Sequence, residues 1–354
     1  MHMVVMAGGS GTRFWPASRK DRPKQFLNIS GKEPMLVETC NRLHPLARDE
    51  EIIIVLGENH LKQAQDLLEG RKVHFLAEPI GRNTAPCIGF GAIYASHLGC
   101  KGPVAFLPAD HYIGKPGAFT GNLRDALDIA DSGAIVTLGI VPTRPDTGYG
   151  YIRKSKHQDN RAYRVEAFVE KPDLHRAEQY LVSGEYLWNA GIFVATPETI
   201  MREIKRHLPK VFEGLERIRR ALDTPRFQEE VLNVYEGLES ISFDYGIMEK
   251  TREPVYVVPS DCGWSDVGSW ESLFVLRSEE HDKDSNLAEG ETILVDCAEN
   301  FVSSRNGRMV ACLGLKRCLV VDTQDALLVA DLGRSQDVRE IIRRLEINGI
   351  KHLL

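Results

Sequence analysis

Residues 4–26 read V-V-M-A-G-G-S-G-T-R-F-W-P-A-S-R-K-D-R-P-K-Q-F. Val4, Val5 and Met6 form an apolar run long enough for a buried strand. Ala7, Gly8, Gly9, Ser10 and Gly11 then carry almost no side-chain bulk. A glycine-rich turn after a strand lets backbone N–H groups come close to a phosphate. Arg13, Arg19, Lys20, Arg22 and Lys24 follow within twelve residues, offset only by Asp21. This is a layout for holding a polyphosphate. It is not a dinucleotide fingerprint, because Phe14 stands where the third glycine belongs, and it has no Gly-Lys-Ser/Thr of a P-loop.

Outward from this loop, strands and helices alternate. The pattern predicts helices over 35–43, 59–69 (with Asn59 as its cap), 83–98 and 119–130. Between them it predicts strands over 51–56, 73–76, 104–107 and 134–140. The alternation implies an α/β fold with a doubly wound, mostly parallel, Rossmann-like sheet, whose ligands sit at the carboxyl ends of the strands. Short strands are expected over 148–172, helices around 173–183 and 197–221, and a strand at 253–258. Residues of about 140–275 then form a second lobe built into the same sheet.

The polar turn Asp282-Lys283-Asp284-Ser285-Asn286 is expected to separate a domain of 1–282 from one of 283–354. Past it, short apolar runs at 292–295, 301–302, 309–312, 318–321 and 326–329 fit a small β-solenoid. Ser335 to Asn348 reads as an amphipathic helix with Ser335 as its cap and Gly349 past its end.

At 354 residues the chain exceeds one small core. A net charge of −6 argues against nucleic acid, so the basic run serves a small anion. No apolar stretch is long enough to cross a membrane, and no secretory segment precedes the loop. The seven cysteines form no C-x-x-C pair and are expected to be thiols in a reducing cytoplasm.

Several other stretches carry chemistry, each with a plainer alternative. Asp110, directly after the 104–107 run in P-A-D-H, suits Mg²⁺ or serves as a helix cap or a loop salt bridge. Asp266 in W-S-D-V-G-S-W offers a second metal-binding carboxylate or a structural turn. In F-V-E-K-P, Glu170 can accept sugar hydroxyls and Lys171 can neutralise a sugar phosphate; otherwise they are a surface ion pair. Gly150 allows close approach of a ligand, and Asn189 in W-N-A-G-I-F is a buried amide that needs partners. Glu78 can accept the N1–H and 2-amino donors that guanine presents together and adenine lacks, or it caps the helix beginning near Asn83.

The strings G-G-S-G-T-R-F-W-P-A-S-R, P-K-Q-F, G-R-N-T-A-P, P-A-D-H, F-V-E-K-P, W-N-A-G-I-F and W-S-D-V-G-S-W occur in one order over roughly the first 275 residues. Together they resemble the sugar-1-phosphate nucleotidyltransferases. P-K-Q-F with G-R-N-T-A-P favours the mannose-1-phosphate guanylyltransferases (GDP-mannose pyrophosphorylases) over thymidylyl, uridylyl and adenylyl relatives. The resemblance implies that GTP and mannose 1-phosphate give GDP-mannose and pyrophosphate with Mg²⁺ or another divalent cation. It implies catalytic roles for Arg13 and Lys24 and nucleotide contacts at Ala7, Gly8, Gly9, Gly11, Thr12, Glu78, Asn83 and Thr84. Asp110, Gly150, Glu170, Lys171, Asn189 and Asp266 would hold the sugar phosphate, with Asp110 and Asp266 also on the metal. It further implies a left-handed β-helix at the C-terminus, a homodimer, and a monofunctional chain without an appended isomerase domain. A catalytically silent sugar-nucleotide-binding regulatory subunit, or the same chemistry on another sugar 1-phosphate, stays open as an alternative.

Overall fold

Met3, Val4 and Val5 are fully buried in the first strand. The computed structural model describes residues 1–354 apart from 10, 30–32 and 160, so Ser10 of the opening loop lies outside the described residues. Among the described residues nine strands form one sheet: His2–Met6 (β1), Ile52–Gly57 (β2), His74–Glu78 (β3), Val104–Pro108 (β4), Ile135–Ile140 (β5), Tyr151–Asp159 (β6), Ala162–Val169 (β7), Tyr186–Ala195 (β8) and Val255–Pro259 (β9). Their order is β3-β2-β1-β4-β8-β5-β9-β7-β6. β1 pairs in parallel on both sides, Val4 lying opposite Ile53 of β2 and Phe106 of β4. The parallel run breaks at β8, which is antiparallel to both β4 and β5. The sheet is therefore mixed, with a parallel half that carries the first loops and a second half of longer strands.

The helix Thr84–His97 is buried on nearly every side, with glycines and alanines interspersed among Ile88, Phe90 and Ile93. A Cβ at Gly91 would stand 2.6 Å from Val4, and one at Gly89 2.3 Å from Leu215. That absence of bulk lets the helix lie against both β1 and the helices Pro197–His207 and Pro209–Ala221. The resulting core takes in Val4, Ile53, Phe106, Ile204, Leu215 and Tyr235.

Two compact units divide the chain. One comprises Met1–Gly8, Thr39–Ala109 and Ile113–Trp264; the other comprises Gly9–Glu38, Asp110–Tyr112 and Ser265–Leu354. The nine-stranded sheet belongs to the first. In the second, Leu287–Glu289 (β10), Thr292–Val295 (β11), Phe301–Ser304 (β12), Val310–Leu313 (β13) and Cys318–Asp322 (β14) stack as parallel rungs: β10, β12 and β14 in one ladder, β11 and β13 in another. Leu327–Asp331 (β15) turns back antiparallel on β14, closing the stack as a hairpin. Buried asparagines tie successive rungs: Asn300 donates to Asn286 Oδ1 at 2.9 Å, and Cys318 N donates to Asn300 Oδ1 at 2.8 Å.

Some local expectations are corrected. Asn59 falls inside a 3₁₀ turn, Glu58–His60, ahead of the helix Leu61–Leu67, and its side chain caps nothing. Ser335 lies in the 3₁₀ segment Leu332–Asp337, and its hydroxyl accepts from Glu271 N; the helix itself runs over Val338–Ile347. The sequence pattern predicts neither the helix Phe227–Gly237 nor the strand β8. Among the described residues no helix is long and apolar enough to cross a membrane.

Candidate active site

The opening loop is shaped by one left-handed glycine. Gly11 has φ +55°, and a Cβ there would stand 2.2 Å from Lys24 N. Only glycine fits that conformation and that approach. The 3₁₀ turn Thr12–Phe14 follows, with Phe14 buried and Arg13 exposed. Gln25 Nε2 donates to Gly9 O at 3.0 Å, fastening the loop to the turn Lys24–Phe26.

Lys24 is 4% exposed. Its ammonium donates to Asp110 O at 2.7 Å, to Asp110 Oδ2 at 3.1 Å and to Asp266 O at 2.5 Å. An ammonium has three N–H bonds, so all are engaged. The Phe14 ring lies 5.9 Å from the same nitrogen. Burial acts to raise the Asp110 pKa, yet the Lys24 and His111 charges hold it below the usual carboxylate range. On the other arm Val267 is held at φ +43°, an outlier for a β-branched residue. Such a conformation costs roughly 1–3 kcal/mol and persists only where its surroundings fix it. Here Val267 is fully buried with Trp270 and Leu273. A Cβ at Gly268 would come within 2.7 Å of Asp266 Oδ2, so glycine keeps that carboxylate clear.

The unit that carries the nine-stranded sheet holds two clusters of its own. At the end of β3, Glu78 is 4% exposed and accepts from the Tyr235 hydroxyl at 3.1 Å. Burial pushes its pKa up to about 7, against the lowering effect of that hydrogen bond. A Cβ on Gly8 would lie 3.1 Å from Glu78 Oε2, and Ala7 N donates to Val55 O, extending the strand edge up to this carboxylate. Glu78 does not cap the following helix. Asn83 does, accepting from Thr84 N at 2.8 Å, while Thr84 Oγ1 accepts from Phe243 N at 2.8 Å. Asn83 and Thr84 thus shape the helix start beside Glu78.

The second cluster joins Gly150, Glu170, Lys171 and Asn189. Asn189 N donates to Gly150 O at 2.8 Å, and a Cβ on Gly150 would meet Glu170 Oε2 at 2.4 Å. Lys171, at φ +46°, bonds Glu170 Oε1 at 2.6 Å. Asn189 sits beside a register shift between β5 and β8, and Gly191 at φ +66° completes the irregularity. Its Oδ1 accepts from Thr137 Oγ1 and Gly191 N; its Nδ2 donates to Asp244 Oδ1 at 2.8 Å. Asp244 is a residue the sequence reading missed. It opens the π-helical turn Asp244–Met248, and burial, then the neighbouring Glu170 charge, raises its pKa to about 6. Nothing in the linear pattern around Asp244 announces such a turn.

Mg²⁺ in phosphate-transfer sites is held by one or two carboxylates plus substrate oxygens and water. Asp110, held ionised, and Asp266, tied by its carbonyl to the same ammonium, are a donor set of that kind. Among the described residues no group of three or more His, Cys, Asp or Glu side chains forms an all-protein cage.

A nucleotidyl transferase family model matches residues 2–283, and a model of a MannoseP isomerase/GMP-like beta-helix domain matches residues 290–345. The mannose-1-phosphate guanylyltransferase of Escherichia coli is 38% identical over 99% of this chain and 74% of its own length. Mannose-1-phosphate guanylyltransferase RfbM of Salmonella typhimurium is 39% identical over 98% of this chain and 72% of its own length. The crystal structure of a Thermus thermophilus protein described as mannose-1-phosphate geranyltransferase superposes with a TM-score of 0.89 at 37% identity, covering 98% of this chain and 99% of that one. The glycine loop, the lysine that joins two aspartates and the buried glutamate lie within the first match. The chain belongs to the nucleotidyl transferase family.

Proposed function

We propose that the enzyme transfers GMP from GTP to mannose 1-phosphate, forming GDP-mannose and pyrophosphate. The observation that carries the reading is the convergence of Lys24, Asp110 and Asp266, distant in sequence, on a single ammonium. The names of the relatives supply the sugar and the base.

The nucleophile is a phosphate oxygen, already anionic near neutral pH, so the reaction needs no general base. Its barrier lies in aligning two anions and in stabilising the departing pyrophosphate. Arg13 and the N–H groups of Gly9, Gly11 and Thr12 hold the triphosphate. Nucleotidyltransferases use divalent cations; Asp110 and Asp266 are the residues that would hold one here, and it would supply charge neutralisation to the reacting phosphates. Lys24 positions both aspartates and supplies charge beside the α-phosphate once it exchanges one carbonyl for a phosphate oxygen. Glu78 accepts the two guanine donors, with Ala7 and Gly8 against the nucleoside and Asn83 and Thr84 fixing the helix start. Gly150, Glu170, Lys171 and Asn189 bind the sugar phosphate. The homodimer, and a cytoplasmic location in which the cysteines stay thiols, belong to the same proposal; sedimentation as a monomer at micromolar concentration would remove the first.

The test is pyrophosphate release from GTP, ATP, UTP and dTTP in parallel, with mannose 1-phosphate and Mg²⁺. Release with GTP alone is expected. Release with another nucleotide overturns the base assignment. No release from any, with measurable binding of a sugar nucleotide, returns the regulatory alternative.

A further inference from the structure

Arg13 sits on the turn Thr12–Phe14, immediately before the buried Phe14. The C-terminal helix Val338–Ile347 packs against that turn, and its Val338 and Ile342 share one apolar cluster with Phe14. Arg339 directly follows Val338, so its exposed side chain leaves the helix where the helix meets the loop. Repulsion from the Arg13 guanidinium is the leading influence that lowers the Arg339 pKa.

The acids of this region are already engaged. Asp337 bonds Arg334 at 2.8 Å, Glu340 bonds Arg343 at 2.7 Å, Glu346 bonds Lys20 at 2.6 Å and Asp325 bonds Arg19 at 2.8 Å. Neither Arg13 nor Arg339 has a carboxylate partner among the described residues, although the chain carries a net charge of −6. Two neighbouring guanidiniums without a counter-ion repel each other. The packing of Phe14 and Val338 nevertheless holds them on adjoining elements. Planar, permanently charged forks in that arrangement suit an anion with several phosphate oxygens.

We propose that Arg339 is a second phosphate-binding residue, which with Arg13 holds the β- and γ-phosphates of the nucleoside triphosphate and then the pyrophosphate product. The assignment deepens the reading of the opening loop as the triphosphate site and rests on it. It gives the C-terminal helix a part in binding that no motif in the first 283 residues carries.

Titration calorimetry of the full chain with inorganic tripolyphosphate and with pyrophosphate, in the presence of Mg²⁺, tests this without reference to base or sugar. Arg339→Ala is expected to weaken both by about tenfold or more, the value of a lost charge-assisted contact, and Arg339→Lys to recover part of it. In steady state the KM for GTP rises and pyrophosphate inhibition weakens in proportion, while the KM for mannose 1-phosphate stays within about twofold. The melting temperature of Arg339→Ala holds or rises, because a like-charged neighbour is removed. Unchanged tripolyphosphate affinity in Arg339→Ala overturns the inference. So does a fall in melting temperature with mannose 1-phosphate and tripolyphosphate weakened alike, which marks a structural residue. Tripolyphosphate binding that depends on Arg339, in a protein releasing pyrophosphate from no nucleotide, would retain this inference and remove the proposed function.

Discussion

With a pKa of about 7, Glu78 is half protonated near neutral pH. Unfolded, it ionises near 4.5, so between those values the folded chain binds the extra proton and stability falls as pH rises. Glu78→Gln keeps the acceptor for Tyr235 and removes the buried charge. It is expected to raise stability at pH 8 by on the order of 2–3 kcal/mol, read from denaturant melts at pH 5 and pH 8. The guanine role demands the ionised form, so GTP affinity should climb from pH 6 to 8, with proton release on binding below 7. The Gln variant should lose both the pH dependence and the preference for GTP over ATP; retention of that preference would remove Glu78 as the base reader. Lys24 makes the opposite kind of case. Lys24→Met strands two carbonyls and one carboxylate oxygen around a buried site. Turnover should fall at least about a hundredfold, as when a preorganised charge is lost. Stability should drop by roughly 2–3 kcal/mol. A variant with ordinary melting and turnover would contradict both.

At the scale of elements, two glycines separate the substrates. Gly150→Ala pushes a methyl into the Glu170 carboxylate, so the KM for mannose 1-phosphate should rise at least about tenfold with GTP binding intact. Gly11→Ala forces a side chain into left-handed backbone against Lys24 N, and GTP binding should fail first. The reverse pattern in either variant would exchange their roles. These loops were legible because glycines and charges cluster in short strings, the helix Met35–Leu43 because its apolar residues recur at helical spacing, and Thr84–His97 because small residues crowd it. β8 was not, since Asn189 and Gly191 interrupt the alternation where the strand departs from register. The helix Phe227–Gly237 did carry a signal: Phe227, Val231, Val234 and Tyr235 fall on one face. Without that helix, the tyrosine bonded to Glu78 stayed invisible. Asp244 depends on a π-turn fixed by tertiary packing, which no local periodicity encodes.

Across the whole molecule, the glycine loop and the C-terminal rungs share one core. Phe14 lies 4.9 Å from the Trp270 ring and Trp270 5.5 Å from Phe301, with Leu319, Val338 and Ile342 around them. A chain ended after residue 283 loses that cover although it retains the family motifs. It should expose Phe14 and Trp270, bind a hydrophobic dye and release no pyrophosphate; a soluble fragment with full turnover would refute the shared core. Trp15 Nε1 donates to the Leu353 carbonyl across 338 positions, so the loop's partner is made long after the loop itself. At about 5–20 residues per second, roughly 20–70 s of translation separate the two. Chains stalled on the ribosome before residue 338 should therefore hold no tripolyphosphate, and released chains should. Synthesis of the helix Val338–Ile347, rather than collapse of the sheet, then sets the moment at which a newborn molecule becomes competent.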